Sequence, residues 1–104
     1  MALFPCPYLR GKVECTDERE WHIGQRHPDL LPTHRDYLIT TLADPDLVRR
    51  SVRFGDARLF SRWYRDLGKY VVVVVVSEIG GRNWIVTAYI ARRLAEGETE
   101  WQRS

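Results

Sequence analysis

The chain has 104 residues, a hydrophobic fraction of 44% and a formal net charge of +2. That is the length of one domain able to bury its own core, and the composition excludes a disordered chain. No apolar run approaches the ~20 residues of a bilayer-spanning helix. Met1-Ala2-Leu3-Phe4-Pro5 has neither the charged start nor the apolar stretch of a signal peptide, so the expectation is a cytoplasmic protein with no membrane contact.

In chain order, residues 1–8 contain Pro5 and Pro7 and read as an irregular arm. A short strand is predicted over Lys12 to Cys15. Helix signals follow: Asp17 as the cap, Glu20 three residues later to complete a capping box, and a stop at His27 set by Pro28. A second helix is predicted from about Thr33, with Tyr37, Leu38, Thr41 and Leu42 on one face and an end at Asp44-Pro45-Asp46. The rest reads as strand: Leu47 to Arg53, a break at Phe54-Gly55-Asp56, Ala57 to Tyr64, Lys69 to Ser77 and Trp84 to Ala91. Short Gly-containing connections make these neighbours antiparallel. The six consecutive valines, Val71 to Val76, lack alternation and predict a central strand buried on both faces. Residues 92–104 are polar apart from Leu94 and Trp101 and read as a helical turn with a loose end. The expected architecture is α+β, a single domain over 1–104. Two N-terminal helices pack on an antiparallel sheet of four or five strands.

Charge is distributed unevenly. Residues 14–46 hold eight acids against three arginines, whereas residues 47–104 hold eleven basic groups against six acids. Six arginines fall between Arg49 and Arg65 with Asp56 as the lone acid. Guanidinium forks match phosphate geometry, and Phe60, Trp63 and Tyr64 lie among them as candidate base-stacking rings. Arg58, Arg62, Tyr64 and Arg65 are the candidate RNA contacts. Core and edge packing is the plainer use of the same rings, and solvated strand faces the plainer use of the arginines.

The chemistry-bearing element is Trp21-His22-Ile23-Gly24-Gln25-Arg26-His27-Pro28-Asp29-Leu30, with two histidines and an arginine inside six residues. Histidine is the side chain suited to proton transfer near neutral pH. Cleavage of RNA by its own 2′-hydroxyl needs a base, an acid and a cation, and His22, His27 and Arg26 supply those types without a metal. Pairing with helix carboxylates and capping is the structural alternative. On the last predicted strand Thr87 and Tyr89 share a face that suits a cleft, and His22 is expected to reach it. Histidines five apart do not converge on one metal. Cys6 and Cys15 have no CxxC spacing and read as buried thiols. No metal and no cofactor is expected.

Val13 to Leu30 resembles the strand, "HI..RHPE" helix and second helix that open a family of small bacterial and phage domains. Asp44-Pro45-Asp46, Arg62 to Tyr64, the valine strand and Val86-Thr87-Ala88-Tyr89 continue the match over roughly residues 12–101. The chain is similar to the barnase–EndoU–colicin–RelE-like group of metal-independent ribonucleases and toxins, nearest its PBECR-type phage domains. It departs from the pattern at Gly24-Gln25 and at Asp29, where Glu is usual. The resemblance implies a toxin-like nuclease with His22, Arg26, His27, Thr87 and Tyr89 as its site, RNA as substrate, and an antitoxin or immunity protein as partner. The alternative is a non-catalytic interaction module on the same fold, working as a homodimer or on another partner. An uncovered sheet face and Trp101 are its support.

Overall fold

The computed structural model describes residues 1–53 and 55–104. Phe54, named above in the break between two strands, lies outside the described residues. The elements are β1 (Ala2–Cys6), a 3-10 turn (Pro7–Leu9), β2 (Gly11–Cys15), α1 (Asp17–Arg26), α2 (Arg35–Ala43), β3 (Leu47–Ser51), β4 (Ala57–Tyr64), β5 (Lys69–Ser77), β6 (Asn83–Ala91) and β7 (Gly97–Gln102). The class is α+β. The sheet, however, has seven strands in the order β1-β2-β6-β5-β4-β3-β7, not four or five. It is also mixed, because β2 runs parallel to β6 and meets it only at Glu14 opposite Trp84.

The valine strand β5 is the middle of the seven. Val71, Val73 and Val75 face the helices and share one core with Leu38, Leu42, Phe60 and Ile85. Val72 and Val74 face the other way and pack with Ala57 and Leu59. Tyr70, Tyr89, Val86 and Leu94 close over that second cluster. The face expected to be uncovered therefore has its own lid of part-buried side chains.

α1 is capped by Thr16, not Asp17: the Thr16 hydroxyl accepts from the Arg19 N–H at 3.1 Å. Glu20 falls four residues after that cap, one too far for a capping box. It instead accepts from Arg35 at the start of α2. Pro28 stops α1 as expected, leaving His27 as the C-cap. α2 buries Leu38, Thr41 and Leu42 and lies over β1, β4 and β5, while α1 packs on β6.

Two strands were not predicted. β1 occupies the arm, with Phe4 and Cys6 buried and Pro5 exposed between them. Proline is tolerated there because β1 is an edge. β7 occupies the tail and pairs with β3. Its register depends on Gly97, where an added Cβ would lie 2.6 Å from the Arg50 carbonyl oxygen. Ion pairs from Glu100 to Arg50 and Arg58, both at 2.8 Å, hold it down. The Tyr8 hydroxyl, just after β1, donates to Glu100 at 3.0 Å and so joins the regions of both edge strands. Trp101, expected on a loose end, is 39% exposed in β7 and lies 6.4 Å from the Tyr8 ring.

Candidate active site

β6 sets the geometry. Its register with β5 shifts between Val74 and Val75, so that Val74 opposes Thr87 while Val75 opposes Ile85. The extra residue, Val86, is a bulge of two residues against one. Strict alternation would put Ile85 with Thr87 and Tyr89. The bulge instead turns Ile85 into the helix-side core, while Tyr89 joins the cluster on the other face. Thr87 and Tyr89 line one hollow of about 280 Å³ on that helix-free side, together with Ser51, Arg53 and Glu96.

His27 comes to this strand from the end of α1. Beyond Trp84 the outer edge of β6 has no strand neighbour among the described residues, and α1 packs on this strand. Its C-cap is thereby set beside Tyr89, with ring centroids 6.0 Å apart at 40°. The loop after the helix fixes that position. The His27 N–H donates to the Ile23 carbonyl at 2.7 Å, and the His27 carbonyl accepts from the N–H groups of Leu30 at 3.0 Å and Leu31 at 3.2 Å. Both leucines are buried.

Burial pushes the Tyr89 hydroxyl above the ordinary phenol range, and the nearby Arg53 guanidinium partly offsets the rise. The hydroxyl is therefore protonated through neutral pH, with a cation close by. The site so assembled holds an imidazole, a neutral phenol, a guanidinium and a threonine hydroxyl, all types that bind and turn over a phosphodiester without a metal. No family model matches the chain, and no curated protein or solved structure matches it.

The other expected site residues are placed differently. His22 and Arg26 are exposed and share a separate shallow hollow with Thr16, Glu18 and Arg19. His22 Nε2 lies 3.6 Å from Glu18 Oε1, and its ring meets the edge of Trp21. Among the described residues no hydrogen bond or ring contact joins His22 to Thr87 or Tyr89. The two histidines are thus kept apart, as five residues of helix dictate: His22 lines the shallow hollow, whereas His27 touches the Tyr89 ring without lining the hollow of Thr87 and Arg53.

Of the proposed RNA contacts, Arg58 is engaged with Glu100, and Arg62 donates to the Asp44 carbonyl at 2.6 Å and to its carboxylate at 3.0 Å. Tyr64 is 8% exposed, donates to the Tyr37 carbonyl at 2.8 Å and stacks on the Tyr37 ring at 4.2 Å. Its ring is committed to the core. Arg65 alone of the four is exposed. His34 stacks on the other face of Tyr37, at 4.9 Å. Among the described residues no three His, Cys, Asp or Glu side chains gather as a metal site. Cys6 and Cys15 are both buried, and burial raises the Cys15 thiol to about 11, so neither has thiolate character.

Sequence reasoning missed Arg53. The signal that existed was its place in the arginine-rich stretch. Nothing in that stretch distinguishes the arginine that lines the hollow with Tyr89 from those tied to carboxylates.

Proposed function

We propose that the chain is a metal-independent ribonuclease of the barnase–EndoU–colicin–RelE-like, toxin-like kind. The observation that carries this reading is His27 set against Tyr89, which in turn shares a hollow with Arg53 and Thr87. His27 takes the proton from a ribose 2′-hydroxyl. The freed oxygen attacks the adjacent phosphorus, and the bond to the 5′-oxygen breaks, leaving a cyclic phosphate. Tyr89 delivers a proton to that leaving oxygen, and His27, then charged, returns one to Tyr89. Arg53 and Thr87 hold the phosphate oxygens on which charge gathers. A phenol with a raised pKa is a weak acid, so the reading implies modest turnover. His22 and Arg26, in the neighbouring hollow, hold flanking backbone.

The experiment is cleavage of labelled RNA by purified protein with and without EDTA. The expected result is cleavage that survives the chelator, leaves 2′,3′-cyclic phosphate ends, and falls by about 10²–10⁴-fold in His27→Ala. Loss of cleavage in EDTA with recovery on adding a divalent ion would overturn the mechanism. A protein that cuts none of many RNAs, and that expresses without toxicity, would leave the interaction-module reading in its place.

A further inference from the structure

Three aromatic side chains lie among the arginines of β4, and burial separates them. Phe60 is fully buried and Tyr64 is 8% exposed, whereas Trp63 is 45% exposed. Trp63 stands directly opposite Tyr70 on β5, with ring centroids 4.9 Å apart at 72°. The pair borders a hollow of about 300 Å³ that Leu94 also lines.

This hollow is on the same face of the sheet as the candidate active site. Tyr70 and Tyr89 both pack on the cluster of Val72 and Val74. Tyr89 opposes Val72, and Tyr70 lies two residues along the same strand from Val72. At about 4.8 Å between strands and 3.4 Å per residue, the Trp63 backbone lies about 12 Å from that of Tyr89. One extended strand of nucleic acid can span both points.

Charge at this end of the sheet is mainly positive: the one acid lining the hollow, Asp46, accepts from the Trp63 N–H at 2.8 Å and is ion-paired with Arg103 at 3.2 Å. Arg65 lies two residues beyond Trp63, and Arg92 and Arg93 follow Ala91, the residue opposite Tyr70, whereas Lys69 opposes Tyr64 and alternates to the helix side. Among the described residues none of these three arginines has a carboxylate partner. Asp66, the acid in the same turn, accepts from the Tyr37 hydroxyl. A second copy of the chain would bring like charges together here, whereas a phosphate backbone meets opposite charge.

We propose that the helix-free face is a track for single-stranded RNA, with Trp63 and Tyr70 as the platform on which an unpaired base stacks. The stacked base belongs to a nucleotide near the cleaved one, not to the cleaved one itself. A base inside a duplex keeps its own neighbours and has no face to offer, so paired RNA is excluded. The inference rests on the ribonuclease reading for its active end, but its own contact is a binding contact and is tested as one.

The probe is a short fluorescent strand of 2′-deoxyribose, which has no 2′-hydroxyl to attack and stays intact. Binding to the full chain is read by anisotropy, alongside the same strand annealed to its complement. The single strand should bind and the duplex should bind much less. Trp63→Ala should weaken the single strand by about 5- to 150-fold, and Trp63→Phe should restore most of it. Because Trp63 is nearly half exposed and belongs to neither core cluster, Trp63→Ala should keep its fold, which circular dichroism checks. Equal binding of single strand and duplex, an unchanged affinity in Trp63→Ala, or a dimer that Trp63→Ala dissociates would overturn the proposal. Cleavage of RNA by the parent protein, followed separately, distinguishes the two failures. RNA that is cut without any dependence of binding on Trp63 removes the platform and leaves the ribonuclease. A Trp63-dependent strand binder that cuts nothing removes the ribonuclease and leaves the platform.

Discussion

The two faces of β5 use the same residue type for different ends. On the helix side, Val71, Val73 and Val75 are sealed under α1, α2 and the aromatic ring of Phe60. On the other side Val72 and Val74 are almost as buried, but the lid is a rim of half-buried Tyr70, Tyr89 and Leu94. The first face is filled by residues with no polar work left to do. The second exposes hydroxyls, a tryptophan and arginines above a dry floor. Alternation along one strand thus separates what stabilises the molecule from what is available for chemistry.

The comparison breaks most visibly in catalysis. Under the proposed ribonuclease mechanism, His27→Ala and Tyr89→Phe should each lower the rate of RNA cleavage by about 10²–10⁴-fold, whereas His22→Ala should cost less than either. Single-turnover rates measured on one RNA would check the order. Parity between His22 and His27 would return the site to α1 alone.

Stability tests the other face. Leu38→Ala empties a site 2% exposed beneath the sheet and should cost about 2–5 kcal/mol. Leu94→Ala, at a half-buried rim, should cost about 1 kcal/mol. Urea unfolding of the two variants side by side gives the difference, and equal losses would mean that the rim is as essential as the core.

Gly97→Ala sharpens the boundary between the faces. An added methyl there meets the Arg50 carbonyl oxygen and the Arg49 side chain. The expected loss is about 1–3 kcal/mol, the usual range for overpacking. Amide exchange in β3 and β7 should rise with it, while the centre of β5 stays protected.

The smallest effect is acid sensitivity at Glu100. Burial raises this carboxyl, but the bonds from Arg58, the Tyr8 hydroxyl and Arg50 outweigh burial and hold it below the ordinary carboxylate range. A folded pKa below the unfolded one gives stability that is complete above the unfolded value and is lost as pH falls through the folded value. Thermal stability should therefore fall below about pH 4.5. Glu100→Gln should be less stable at neutral pH and should lose less on acidification. An unchanged pH slope would show that the latch contributes nothing.

Much of this was legible in the residues. The valine run, the bounds of β4 and β5, the Pro28 stop and the shared face of Thr87 and Tyr89 all follow from patterns that one strand or helix carries by itself. β1 and β7 do not. Each is an edge strand, and β7 is polar enough that its pairing rests on Glu100 and Gly97 meeting Arg50 from across the chain. The bulge at Val86 is likewise invisible to strict alternation. That His27, not His22, lies against Tyr89 depends on where α1 packs on β6, which no pattern within the helix encodes.

The bond from Tyr8 to Glu100 joins positions 92 residues apart. Closing so long a loop carries an entropy cost that grows as the logarithm of its length, about 0.6 kcal/mol for each doubling. The β4–β5–β6 meander closes through short turns and meets no such cost. Assembly should therefore begin there, with the seam between the first and last strands zipping late. The same seam should be the first to open in the native protein. Pulsed hydrogen exchange during refolding would read that order directly, with β5 protected before β7.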